Sequence, residues 1–302
     1  MAAERAVVKA ELAQDSRAML GEGPVWDDRS CRLHWVDIRS GLVHRFSPAD
    51  GSDLVIDVGQ PVSAVGLGEG GGLILAIRDG FGLVRPGSDR VADVIEVEKD
   101  RADHRMSDGR CDPAGRFWAG TMADRWEDAP GAGSLYRVDG ASGALVTTKV
   151  LGGITVANGI DWTPDGRHMY YVDSPSQQVD AFDFDAETGT LRNRAVFAAI
   201  PVAEGMPDGL VVDADGGVWV ALIGAGRIRR YSPSGRIDRE IELPVTLVTS
   251  AAFGGPDLAD LYITTARHRL TAAERERQTY AGSLFCCRPG PAGQRAYRFA
   301  WA

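Results

Sequence analysis

Runs of Val, Ile, Leu, Tyr, Trp and Phe, each about five residues long, alternate along this chain with turns built on Gly, Pro, Asp and Ser. His34–Ile38, Leu73–Ile77, Arg116–Gly120, Met169–Asp173, Val218–Leu222 and Asp260–Thr264 have the length and the β-branched and aromatic content of strands. Pro164-Asp165-Gly166, Asp215-Gly216-Gly217 and Ser234-Gly235 mark turns between such runs. A helix is predicted only over Thr271–Gln278, a short polar stretch with Thr271 as its N-cap. The pattern is that of an all-β chain.

A recurring opening orders these strands. Glu22-Gly23-Pro24-Val25-Trp26, Asp108-Gly109-Arg110-Cys111, Asn158-Gly159-Ile160-Asp161-Trp162 and Met206-Pro207-Asp208-Gly209-Leu210 each set a polar residue and then a small one ahead of a strand. Ser63-Ala64-Val65 and Ser250-Ala251-Ala252-Phe253 are weaker copies, and the six recur at intervals of 41 to 50 residues. Third strands follow at Leu42–Phe46, Ser134–Val138, Val179–Phe184, Arg227–Tyr231 and Ser283–Cys286, and a fourth ends the unit, as at Ile237–Ile241. Four strands in that period make one blade of a β-propeller. The expected fold is a six-bladed β-propeller with four antiparallel strands per blade, a single domain over residues 1–302. Ala6–Ala10 is expected to lend a strand to the last blade, closing the ring and bringing the termini together.

Charge narrows the partners. The 302 residues carry a net charge of −9 with no Lys/Arg-rich run, which argues against nucleic acid and anionic membranes. No apolar stretch has the length of a bilayer span. Met1-Ala2-Ala3-Glu4-Arg5 lacks the apolar core of a secretory signal. Cys31, Cys111, Cys286 and Cys287 form no CxxC pair, so reduced thiols and a cytoplasmic location are expected.

The first strand of a propeller blade lines the central channel, so equivalent repeat positions converge there. Glu22, Asp108, Asn158 and Asp208 thereby become neighbours. Buried carboxylates repel one another and lose hydration, and a hard divalent cation offsets both costs. Such an oxygen-rich set suits Ca²⁺, Mg²⁺ or Mn²⁺, whereas Zn²⁺ favours added His or Cys. The plainer alternative makes each Asp-Gly or Asn-Gly a turn ahead of its strand, although Glu22 is a poor turn residue.

The chain resembles the gluconolactonase/regucalcin family of six-bladed propeller lactonases nearly end to end. The likeness is carried by Leu20–Trp26, His34–Ile38, Asp112–Met122, Asn158–Gly166 and Met206–Gly209. It implies one divalent cation at the top of the channel, Ca²⁺ or Zn²⁺ foremost and Mg²⁺ or Mn²⁺ next, on Glu22, Asn158 and Asp208. It also implies hydrolysis of a small sugar lactone to its aldonic acid, with Asp208 or Asp108 taking a proton from the attacking water. Arg105 is implied as a substrate contact; as a plain surface arginine it would pair with Asp103 or Asp108. The family's third motif runs Arg-x-Asn-Asp-Gly, but here Ser107 stands in Arg105-Met106-Ser107-Asp108-Gly109. Serine keeps an oxygen but is shorter, so a water is expected to bridge the gap.

Ala123–Pro130 reads as a loop over the channel mouth, with Trp126 or Glu127 touching substrate. No Gly-x-Ser-x-Gly elbow occurs, which counts against an acyl-enzyme hydrolase. A phosphotriesterase- or paraoxonase-like esterase and a non-catalytic metal-binding interaction propeller are the competing readings. A monomer or weak homo-oligomer is expected.

Overall fold

The computed structural model describes residues 6–140 and 144–301, so the N-terminal residues read above for a secretory signal lie outside it. Six sheets follow one another in sequence, each of four antiparallel strands, with a fifth, parallel strand added to two of them. Their first strands are Gly21–Asp27, Val62–Gly68, His104–Cys111, Ala157–Trp162, Met206–Val212 and Val248–Gly254. This is the six-bladed β-propeller expected from the repeat. The helix spans Ala272–Arg277, and Thr271 and Glu274 close a reciprocal capping box at its start.

Six hydrophobic clusters hold the ring, and each spans two neighbouring blades. Between the third and fourth blades, Trp118, Ile160, Trp162 and Tyr171 pack together; between the last and first, Trp26 and Trp35 meet Ala252 and Tyr262. Aromatic strands therefore glue each blade to the next, and no blade owns a core of its own.

Every first strand carries one extra residue where its pairing with the second strand slips. The slips fall between Glu22 and Val25, Val62 and Ala64, and Met106 and Gly109. The other three fall between Ala157 and Ile160, Pro207 and Leu210, and Val248 and Ser250. A bulge of this kind bends the strand and re-aims a side chain. The Asn-Gly and Asp-Gly pairs thus lie within strands, so the turn alternative does not hold. Gly159 and Gly209 are there for space. A Cβ on Gly209 would lie 2.2 Å from Ser250 Oγ, and one on Gly159 would lie 2.5 Å from the Leu210 nitrogen.

Ring closure differs from the expectation in one respect. Ala6–Lys9 pairs in parallel with Ile237–Glu242, on the outer edge of the fifth blade. The sixth blade is completed instead by Glu11–Gln14, antiparallel to Leu284–Cys287. The two segments are consecutive, so once Glu11–Gln14 covers the last blade's edge, the residues before it reach the next open edge. The other end of the chain crosses the bottom of the channel. Gln294 Nε2 donates to the carbonyls of Trp162 (3.1 Å) and Val212 (3.2 Å). Arg298–Phe299 then pairs with the innermost strand of the second blade, and Arg298 binds Asp28 at 2.7 Å.

Gly209→Ala is expected to force the fifth and sixth blades apart and cost roughly 1–3 kcal/mol, as overpacking does. The check is a lowered urea midpoint at unchanged slope; a midpoint equal to the parent's would contradict the close approach.

Candidate active site

The bulges bring Glu22, Ser63, Ser107, Asp108, Asn158 and Asp208 onto the wall of one cavity at the end of the channel where the first strands begin. The cavity and the open mouth above it together enclose about 710 Å³. The sixth opening does not take part. Its bulge holds Thr249, whose Oγ1 donates to the Gly21 carbonyl at 2.6 Å and ties the last blade to the first. Ser250 packs against Gly209.

The aspartates ending the second strands of the first and fourth blades fix two of these positions. Asp37 accepts the Met19 and Leu20 N–H groups at 2.9 and 3.0 Å. Asp173 accepts those of Thr155 and Val156 at 3.0 and 2.8 Å. Each clamp holds the chain just before Glu22 or Asn158. Asn158 is oriented once more, since its Nδ2 donates to Ser174 Oγ at 2.8 Å, leaving Oδ1 as an acceptor for the cavity.

Glu22, Asp108 and Asp208 are only 5%, 9% and 5% exposed. Among the described residues none of them lies within ion-pair distance of an arginine or lysine. Glu22 and Asp108 each accept an N–H from the following glycine, at 3.2 and 2.7 Å. Burial pushes the Glu22 carboxyl well above its usual range, and the charges of Asp208 and Asp108 add to it. Burial and then Asp108 do the same to Asp208. Asp108 is raised to about 6, chiefly by burial, with Arg110 opposing. Three buried acids without a counter-cation form an electrostatically incomplete site.

A hard divalent cation fits this donor set. Among the described residues no three His, Cys, Asp or Glu side chains form a metal-binding group, so such an ion would rest on two carboxylates and the Asn158 amide. All three are oxygen donors of the kind Ca²⁺ and Mg²⁺ take.

Arg105 and Ser107 lie on the same wall. Arg105 pairs with Asp124 at 3.7 Å and not with Asp103 or Asp108. Ser63 spends its hydroxyl on the Met106 carbonyl at 2.6 Å. Trp126 lines the mouth, whereas Glu127 stands outside the lining, with a side chain 56% exposed and 3.9 Å from Arg269. Three further lining residues, Arg39, His268 and Arg269, escaped the sequence reading, while Asp124 belongs to the loop read as covering the mouth. All follow the second strand of a blade, whose end is level with the start of the first. That register was the available signal. Burial, then the charges of Arg269, Arg39 and Arg105, lowers the His268 pKa to about 4, so its imidazole is neutral near pH 7.

A second cavity, lower in the channel, is lined by Val25, Trp26, Cys111, Phe253 and Tyr297. Its acid, Asp161, accepts the Val212 N–H at 2.8 Å and faces Arg110 at 3.7 Å. That cavity is capped by the C-terminal segment and its acid faces an arginine, unlike the acids of the upper one.

Residues 20–267 match the model of the SMP-30/gluconolactonase/LRE-like region. The chain belongs to that family. It is 35% identical, over 96% of its length and 98% of the relative's, to a putative sugar lactone lactonase of Bacillus subtilis. It is 36% identical to regucalcin of Gallus gallus, over 92% of this chain and 93% of that one. A crystal structure described as a calcium-binding protein, regucalcin from Agrobacterium tumefaciens, superimposes with a TM-score of 0.92 at 29% identity. The overlay covers 98% of this chain and 99% of that one. The family relationship thus spans the whole ring, including all five polar openings that meet in the upper cavity.

The raised acids set a pH dependence. Asp108 ordinarily titrates near 3.8 and here near 6. Its contribution to stability is therefore full below pH 4 and lost as the pH rises through 6. In chelator-treated protein, Asp108→Asn is expected to gain on the order of 3 kcal/mol over the parent at pH 8. The gain should vanish below pH 4. Urea titrations at the two pH values check this; equal stability at pH 8 would refute it.

Proposed function

We propose that this protein hydrolyses a sugar lactone to the open-chain acid with the help of one divalent cation. The observation that carries the reading is the meeting of three buried acids, Glu22, Asp108 and Asp208, with no arginine or lysine at ion-pair distance among the described residues, beside the Asn158 amide on the wall of one open cavity. The lactonase and calcium-binding descriptions of its relatives support it.

Glu22, Asn158 and Asp208 are the residues that would hold the cation, with Ca²⁺ the best match to their oxygens. When bound, it supplies a Lewis acid that polarises the lactone carbonyl and steadies negative charge on its oxygen. Arg105 and Ser107 bind and orient the sugar hydroxyls, with Ser107 leaving room for one bridging water. Water adds to the carbonyl carbon as a carboxylate takes its proton, the ring C–O bond breaks, and that proton passes to the ring oxygen, which leaves as a hydroxyl. Asp208 and Asp108 are the two groups placed to receive the water's proton, and so close a pair titrates together. Ser174 positions Asn158, and Asp37 and Asp173 hold the strand entries.

Asp208→Ala is expected to lower lactonase turnover on the order of 10³-fold and to abolish retention of the metal. Ser174→Ala should weaken metal affinity by roughly 10–100-fold, as loss of a ligand's own support does. Turnover of aldonolactones with and without chelator, and calorimetric titration with Ca²⁺, are the measurements. Full activity in Asp208→Ala would sink the proposal. Metal binding without turnover of any lactone would favour a binding propeller.

A further inference from the structure

Three arginines stand around the mouth of this cavity in a protein whose net charge is −9. Arg39 follows the second strand of the first blade, Arg105 lies on the first strand of the third, and Arg269 follows the second strand of the sixth. Few acids stand at ion-pair distance from them. Arg39 makes no hydrogen bond or ion pair among the described residues. Among the described residues Arg269 meets only Glu127, at 3.9 Å, with both side chains more than half exposed. Asp124 is shared between Arg105 at 3.7 Å and Arg78 at 3.2 Å.

The surroundings register these charges. His268, beside the three, is held neutral by burial and then by their charges. The Arg105 pKa falls to about 10, through burial and then Arg39. Neutral sugar hydroxyls do not call for such a rim. Guanidinium forks match the paired oxygens of carboxylate and phosphate, and a charged, low-dielectric mouth concentrates ions of opposite sign.

We propose that the cavity takes a lactone bearing a second, anionic group, a carboxylate or a phosphate. Arg39 and Arg269 grip that group at the mouth, while the lactone ring lies over Glu22, Asn158 and Asp208. This rests on the lactonase reading above.

The test compares kcat/KM of the metal-loaded protein for a neutral aldonolactone, its phosphorylated form and the monolactone of the matching aldaric acid. Low salt should give the charged lactones about a ten-fold advantage, shrinking several-fold by an ionic strength of about 0.15 M. The phosphate and carboxylate arms identify the group by which of them carries the larger advantage. In the double variant R39Q/R269Q the ratio of charged to neutral should fall close to one. No preference for charge, or a preference that R39Q/R269Q leaves intact, overturns the inference.

Calorimetric binding of an anhydro-sugar, which has no ester to cleave, separates recognition from catalysis. It is measured neutral, carboxylated and phosphorylated, on the parent and on R39Q/R269Q. Tighter binding of the charged rings by the parent alone, with no lactone turned over, keeps the anion site and rejects the lactonase reading. Equal binding of all three rings rejects the anion site whatever the activity.

Discussion

Six strands cannot approach one axis unless something small stands where they touch. Between the fifth and sixth blades that is Gly209 against Ser250, and between the fourth and fifth it is Gly159 against the backbone at Leu210. The same crowding explains why each polar opening is followed by a small residue. It also explains the extra residue in every first strand, since a regular strand alternates its side chains between faces and cannot turn two successive positions toward the axis. Close approach of the blades and presentation of polar groups are thus one local device, repeated around the ring.

The device has an electrostatic consequence. Glu22, Asp108 and Asp208 come from three different blades and are each buried below one-tenth exposure. Burial is the first cause of the raised pKa of each, and mutual repulsion adds for Glu22 and Asp208. Lower in the channel the same fold handles charge differently, by setting Arg110 opposite Asp161. The contrast separates a structural ion pair from a set of acids left open. Above the acids, Arg39, Arg105 and Arg269 form a rim of opposite sign, so the cavity has two electrostatic storeys.

Much of this was legible in the chain. The strand pattern and its period predicted six blades, the capped helix after Thr271 is present, and the polar openings do line one cavity. Two expectations failed for topological reasons. Ala6–Lys9 lies on the fifth blade because its continuation, Glu11–Gln14, occupies the sixth. Ser250, in register with the other openings on paper, is displaced because Thr249 takes the bulge and bonds the first blade. Arg39, Asp124, His268 and Arg269 belong to no repeat motif. They reach the cavity through loops whose lengths differ from blade to blade.

By itself, then, the sequence determined what repeats: strand period, turn residues, aromatic strands, and a polar group at each of five openings. These depend on neighbours along the chain, where side-chain alternation and turn chemistry act. Only the tertiary structure decided which of those groups share a cavity, how deeply the acids are buried, and which arginines stand over them. Those properties arise between residues as distant as Glu22 and Asp208. Local sequence holds no record of the solvent excluded, or of the charges brought near, when the ring closes.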